Sequence, residues 1–221
     1  MIGSGATEFP KVFKLRTGSG SAHVKLVKKP NDAKRLINQA FGIGFSQYDK
    51  FANLRERWTK YKIGKVNFKE VLKGIVRLGY TTNFAKVAGR ERGYIYFQDF
   101  IPDNNFDNRV IVIDGKACAI KRKNRENDFR ASGSGILSYD KENFSEKMIK
   151  QSFKIAEAIN SKSLAIDYVF KGREPMIVEL SYGFPSGSFV DDCPGYWDRE
   201  LNWHPGPFDA QGWMVESLLD S

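Results

Sequence analysis

RVIVIDGKACAIKRKNRENDFRASGSG (109–135) and, one amphipathic helix later, LAIDYVFKGREPMIVELSYG (164–183) are the stretches that decide the fold. In the first, two apolar strands flank Asp114-Gly115, a strong two-residue turn signal, so DNRVIVIDGKACAIKRK (107–123) reads as a hairpin. Asp107 and Arg109 alternate onto one face of its first strand, Lys121 and Arg122 lie on its second, and the glycine-rich segment 127–135 carries Arg130. In the second stretch, SLAIDYVF (163–170) and PMIVELSYG (175–183) form a hairpin across KGRE, and one carboxylate interrupts each apolar run: Asp167 and Glu179. A carboxylate buried among apolar neighbours is costly unless partnered. A salt bridge to one of the arginines satisfies that need, and so does a shared divalent cation. Arginines facing an acidic pair suit a polyphosphate together with its metal, which makes nucleotide binding the first hypothesis.

The composition is compatible with that hypothesis and excludes several others. With 221 residues, 41% of them hydrophobic, the chain can bury a real core as one domain or two small lobes. The net charge of +9 favours anionic partners in general: nucleotides, nucleic acid, anionic polysaccharide or a lipid surface. Cys118 and Cys193 lie far apart with no paired spacing, so neither a disulfide framework nor a zinc site is indicated, and a reduced cytoplasmic setting is expected. No apolar run approaches the roughly 18 residues of a membrane helix. The start, MIGSGATEFP, has the look of a flexible leader rather than a signal peptide.

Upstream, PKVFKLR (10–16) and HVKLVKK (23–29) read as strands joined by the glycine-rich TGSGS (17–21). Such a tip is either an ordinary hairpin end or a loop whose backbone N–H groups can approach phosphates. Lys14, on the strand below, is either a solvated lysine or a phosphate ligand. NDAKRLINQAF (31–41) is a helix with Asn31 as its expected cap. Between residues 46 and 93 stand twelve Lys or Arg against four Asp or Glu, with Tyr48, Phe51, Trp58, Tyr61 and Phe68 interleaved. FANLRERW and FKEVLKGIVRLG in this stretch read as amphipathic helices. They are either a solvated insertion or a docking surface for a polyanion or a membrane face. GYIYFQDFIP (93–102) is an aromatic strand. NFSEKMIKQSFKIAEAIN (143–160) is a helix capped by Ser145, with Met148, Ile149, Phe153, Ile155, Ala156 and Ile159 as its core face. The tail, with Trp197, Trp203, His204 and Trp213, ends in a short helix near 209–219, its rings either covering a core edge or stacking on a planar ligand.

The ordered series VFKL, glycine-rich tip, YFQDFI, DNR, AIKRK, NDFRAS, AIDY and VEL resembles the ATP-grasp superfamily, closest to its ribosomal-protein glutamate ligase branch. The resemblance implies an α+β fold: two lobes with mainly antiparallel sheets sandwiching the nucleotide, the N-terminal pre-grasp domain being absent. The first lobe spans 1–101, with the basic helical insertion at 46–92, and the second spans 102–221. It further implies ATP and Mg²⁺ as cofactors. Lys14 would reach the phosphates under the loop Thr17, Gly18, Ser19, Gly20 and Ser21. The backbone of Gln98, Asp99, Phe100 and Ile101 would hold adenine, and Asp107 would face the ribose. Arg109 and Arg130 would be the catalytic cations, supported by Arg122. Asp167 and Glu179 would hold magnesium, with Ser181 and Ser132 standing where the family has asparagine.

The implied chemistry is phosphorylation of a carboxylate to an acyl phosphate, which an amine or thiol then attacks. The wording DFRASGSG, VELSYG and CPGYWD is similar to ATP-grasp proteins of bacterial polysaccharide biosynthesis, so a small-molecule or glycan carboxylate is the expected substrate, with an anionic polysaccharide precursor in view. The alternatives are a nucleotide-binding regulatory module without turnover and a basic nucleic-acid binder. No nucleic-acid motif accompanies the charge, so that last partner is not expected.

Overall fold

A computed structural model describes residues 8–16, 23–46, 50–62, 64, 66–79, 89–124, 128–130, 136–184 and 189–219. The chain divides into two compact units, Met1–Phe100 and Ile101–Ser221.

In the first unit, β1 (Lys11–Lys14) pairs antiparallel with β2 (Lys25–Val27), and on its other side with β5 (Tyr96–Asp99). Phe13 and Val27 are buried under α1 (Pro30–Phe41) together with Leu36, Ala40 and Phe45. The helix begins two residues earlier than its cap signal suggests. Lys29 occupies the cap position without a side-chain cap, and Pro30 opens the first turn. Proline's fixed φ and missing N–H suit that place, so Asn31 is already helical. The two-residue strands β3 (Phe45–Ser46) and β4 (Arg90–Glu91) pair with each other. Between them in sequence stand the two expected helices, α2 (Lys50–Lys62) and α3 (Phe68–Gly79), which pack together as a helical hairpin.

The second unit is built on one sheet in the order β10 (Glu174–Ser181), β9 (Ser163–Lys171), β6 (Phe106–Ile113), β7 (Lys116–Lys123), β11 (Gly195–Trp197) and β12 (Trp203–Pro205), with β8 (Leu137–Ser138) attached to β7. The central hairpin is β6 (Phe106–Ile113) with β7 (Lys116–Lys123). Asp114 and Gly115 turn it at φ of 42° and 78°, the doubly positive geometry that matches the twist of the flanking strands. Downstream come α4 (Glu146–Ala158), β9 (Ser163–Lys171), β10 (Glu174–Ser181), β11 (Gly195–Trp197), β12 (Trp203–Pro205) and α5 (Ala210–Leu219).

Strand alternation gives the sheet two differently covered faces. Val110, Val112, Ala119, Leu164, Ile166 and Tyr168 face Met148, Ile149 and Ala156 of α4. Ser145 caps that helix by accepting a hydrogen bond from the Met148 N–H at 3.3 Å. Ile159 falls at the helix end and is exposed, contrary to its expected core place, because the helix stops before another turn can carry it onto the sheet. On the opposite face, Ile111, Ile113, Cys118, Ile120 and Ala165 pack against Val190, Cys193 and Ala210 of the tail. The tail's aromatic rings pack on one another. Trp197 and Trp203 lie 4.5 Å apart, and Trp213 stacks on Phe208 at 4.7 Å.

The β11–β12 hairpin leaves no room at Gly195. A methyl group there would sit 2.3 Å from the His204 carbonyl oxygen and 2.6 Å from the Trp203 ring. Gly195→Ala is expected to lower unfolding free energy by about 2 kcal/mol, measured by urea denaturation.

Candidate functional site

Asp107 and Arg109 sit two residues apart on β6, so they point to the same sheet face. In register, Asp107 stands opposite Arg122 on β7, and Arg109 stands opposite Asp167 on β9. This face is apolar toward the β6–β7 turn and charged toward the other end of the strands. The sequence brings the two regimes together by placing Ile111 and Ile113 after Asp107 and Arg109 on one strand, and Arg122 after Cys118 and Ile120 on its neighbour.

The charged end is a closed network. Arg109 donates from Nε to Asp167 Oδ1 at 2.6 Å and from Nη2 to Asp167 Oδ2 at 2.8 Å. Arg122 donates from Nε to Asp107 Oδ1 at 2.7 Å and from Nη2 to Asp107 Oδ2, and the same Nη2 lies 2.9 Å from Asp167 Oδ2. Asp107, Arg122 and Asp167 are buried. Burial alone would raise the Asp167 carboxyl, but hydrogen bonds and charge from Arg109 and Arg122 outweigh it and hold the group below its usual range. Asp107 goes the other way. Burial pushes it up, and Arg122, which it shares with Asp167, offsets this only in part. Burial also works against the Arg122 cation, yet the two carboxylates raise it above its ordinary value, so it stays charged.

Glu179 joins the same face through an irregularity. The β9–β10 register runs Ile177 opposite Tyr168 and then Glu179 opposite Asp167, leaving Val178 as an extra residue. In an uninterrupted register Val178 would stand opposite Asp167, and Glu179 would turn to the α4 side of the sheet. The bulge therefore re-aims the carboxylate. Glu179 is exposed, and Ser181, on the same face, donates to the Gly183 carbonyl at 2.7 Å.

The other expected site residues fall as follows. Arg130 is half-exposed and forks onto Asp128, two residues earlier, at 2.9 Å and 2.7 Å. Lys14 is half-buried at the end of β1 opposite Tyr96. Gln98 and Asp99 lie on β5, one of the two edge strands of its sheet among the described residues, with the Asp99 carboxylate ion-paired to Lys11. Phe100 and Ile101 continue directly from β5. The loop Thr17–Ser21 and Ser132 lie outside the described residues.

Asn104, not singled out by its sequence, holds two segments together: Phe170 N–H donates to its Oδ1 at 2.7 Å, and its Nδ2 donates to the Phe170 carbonyl at 3.0 Å. The turn residues of IPDNN were the only signal for it.

Among the described residues, no group of three or more His, Cys, Asp or Glu is placed to hold a metal ion. Asp167 and Glu179 nevertheless make a donor pair of the right kind. They are carboxylate oxygens on adjacent strands and one face, and magnesium takes one or two such groups and completes its shell with water and phosphate. Arginine contacts occupy three of the roughly four acceptor positions of the Asp167 carboxylate. Glu179 is the more open of the pair.

The lowered Asp167 carboxyl carries a pH dependence. Its stabilising contribution is complete above the ordinary aspartate range and is lost as pH falls through its folded value. Asp107, raised, contributes the opposite slope just above that range. Asp167→Asn is expected to cost about 3 kcal/mol of stability at neutral pH, because Arg109 and Arg122 lose a buried counter-charge. The variant should also lose less on acidification than the parent, as read by denaturant unfolding at a series of pH values.

Residues 82–184 match the model of the RimK-like ATP-grasp domain. No curated protein matches the sequence. Among solved structures, D-alanine–D-alanine ligase from Bacillus anthracis is similar, at 12% identity and a TM-score of 0.41, over 79% of this chain and 43% of that one. The chain thus spans less than half the length of that structure. The matched segment, 103 of the 221 residues, is similar to that ATP-grasp domain and carries Asp107, Arg109, Arg122, Asp167 and Glu179.

Proposed function

We propose that this protein is an ATP- and magnesium-dependent ligase that activates a carboxylate as an acyl phosphate and passes the acyl group to an amine or thiol. The observation that carries the reading is the convergence of Arg109, Arg122, Asp107, Asp167 and Glu179 on one sheet face within the ATP-grasp segment. A carboxylate is a poor electrophile, and phosphorylation makes it a good one. A substrate carboxylate oxygen attacks the γ-phosphorus, the bond to the bridging oxygen breaks, and ADP leaves. The amine or thiol then attacks the acyl carbon and expels phosphate.

Such transfer needs positioning and charge neutralisation more than a side-chain nucleophile. Arg109 and Arg122 would supply cations, their forks held in place by aspartates until phosphate or metal competes for those contacts. Asp167 and Glu179 would hold magnesium, which neutralises charge on the phosphates. Arg130 would exchange Asp128 for phosphate oxygen. The carboxylate substrate is read as a small molecule or a glycan carboxylate, with assembly of an acidic surface polysaccharide as the setting.

One observation favours a second reading, a nucleotide-responsive module without turnover: Asp167 is engaged with two arginines, and Ser181 with its own loop. The two separate in one experiment. ATP binding measured by calorimetry with magnesium, followed by ADP release in a screen of carboxylate acceptors, is expected to give both binding and acceptor-dependent release. Glu179→Gln should reduce release at least about a hundredfold with unfolding unchanged. Binding without release under any acceptor would favour the regulatory module, and no binding at millimolar nucleotide would sink both.

A further inference from the structure

We propose that the α2–α3 hairpin of the first unit is a peripheral docking element for an anionic lipid bilayer. This goes beyond the ligase reading and does not depend on it. The apolar stripe of α3 is wider than α2 covers. On its inner side Val71 is buried, and Gly74 lets the helices close up, since a methyl group there would meet the Leu54 side chain at 2.9 Å. Glu70, on the same side, is clasped by Arg57 and Lys73. The outer side carries Phe68, Leu72, Ile75 and Val76, exposed by 47%, 47%, 49% and 71%. An aromatic row continues this surface onto α2, with Phe68 5.5 Å from Tyr61 and Tyr61 5.9 Å from Trp58, both of them also exposed.

Lysines border the stripe. Lys69 and Lys73 follow Phe68 and Leu72 round the helix and are exposed, and Lys62 Nζ lies 5.8 Å from the Trp58 ring. The charge of the chain is also strongly uneven. Residues 1–100 carry twenty Lys or Arg against seven Asp or Glu, whereas residues 101–221 carry fifteen against nineteen.

The combination selects the occupant. A soluble polyanion or nucleic acid would use the lysines and leave Leu72, Ile75 and Val76 in water. A second copy placed on this stripe would bring two lysine borders together at a repulsive cost. A bilayer with anionic headgroups takes both parts: aliphatic side chains enter the acyl boundary, Trp and Tyr sit at headgroup level, and lysine stems reach back to the phosphates.

The test is flotation of the full chain with vesicles of phosphatidylcholine alone or of equimolar phosphatidylcholine and phosphatidylglycerol. Binding is expected only with the anionic vesicles and should weaken with salt. Lys69→Gln with Lys73→Gln should weaken it about fivefold per lysine. Leu72→Ser with Val76→Ser should weaken it roughly tenfold with thermal unfolding unchanged, since both side chains are exposed. Absence of binding to anionic vesicles overturns the proposal. So does full binding by the serine variant, which would reduce the effect to nonspecific charge attraction. Heparin or RNA capture without vesicle binding, or self-association that the serine variant abolishes in a chain that ignores vesicles, overturns it as well.

Discussion

Two arginines, Arg122 buried and Arg109 partly so, shared between two buried aspartates are the constraint on which the second unit's chemistry rests. Taking these charges out of water costs several kcal/mol for each fully buried ion, and only close pairing returns it. Here the pairing runs across three strands. Arg122 of β7 holds Asp107 of β6 and reaches Asp167 of β9, while Arg109 of β6 holds Asp167. Side chains therefore link the same strands that the backbone ladder links, and a slip of one residue in either pair would send an arginine to the α4 side, among Val110, Ile166 and Tyr168. The network fixes register and orients its own cations in one step.

The rest of that face divides into an apolar half and a charged half. Toward the β6–β7 turn, Val190, Cys193 and Ala210 cover Ile111, Cys118 and Ala165, so the tail is spent on the apolar half. Toward the other end of the strands the side chains change from isoleucine to arginine and aspartate. The exposed Glu179 stands at the border because of the bulge at Val178. One strand irregularity thus turns Glu179 from the α4 side of the sheet to the face that carries Asp167.

Much of this was legible in the sequence, and the reasons for what was not are local. The β6–β7 hairpin followed from Asp114-Gly115, and α4 from its apolar spacing and Ser145, because turn and cap chemistry act within a few residues. The carboxylates at 167 and 179 were visible as single charges in apolar runs. Their partners were not decidable, since a salt bridge and a metal impose the same demand for neutralisation. The structure assigns the arginine pairing for Asp167 and places Arg122, read as a supporting residue, at the centre of the network. The bulge left no mark in MIVELS, whose alternation is compatible with either register. The short strands β11 and β12 escaped because Trp, Pro and Gly around 195–205 read as loop, and their pairing depends on packing between Trp197 and Trp203 rather than on strand propensity. Pro30 displaced the expected Asn31 cap for the opposite reason: a strong local rule overrode a weaker one.

Charge balance sharpens what Glu179 contributes. Two arginines and two aspartates cancel, so the buried network by itself neither draws nor repels a polyphosphate. Glu179 beside it leaves the face one charge negative, and acids outnumber Lys and Arg in the second unit as a whole. An anionic ligand gains nothing there on its own. A divalent cation held at the Asp167–Glu179 edge would turn the local balance from one negative to one positive, and it would compete with Arg109 and Arg122 for Asp167. Each effect favours phosphate, the first by supplying positive charge and the second by loosening the Arg109 fork and the single Arg122 Nη2 contact from Asp167. Cation and polyphosphate would then bind together more readily than either alone, with the open carboxylate of Glu179 rather than the committed one of Asp167 setting the order of events.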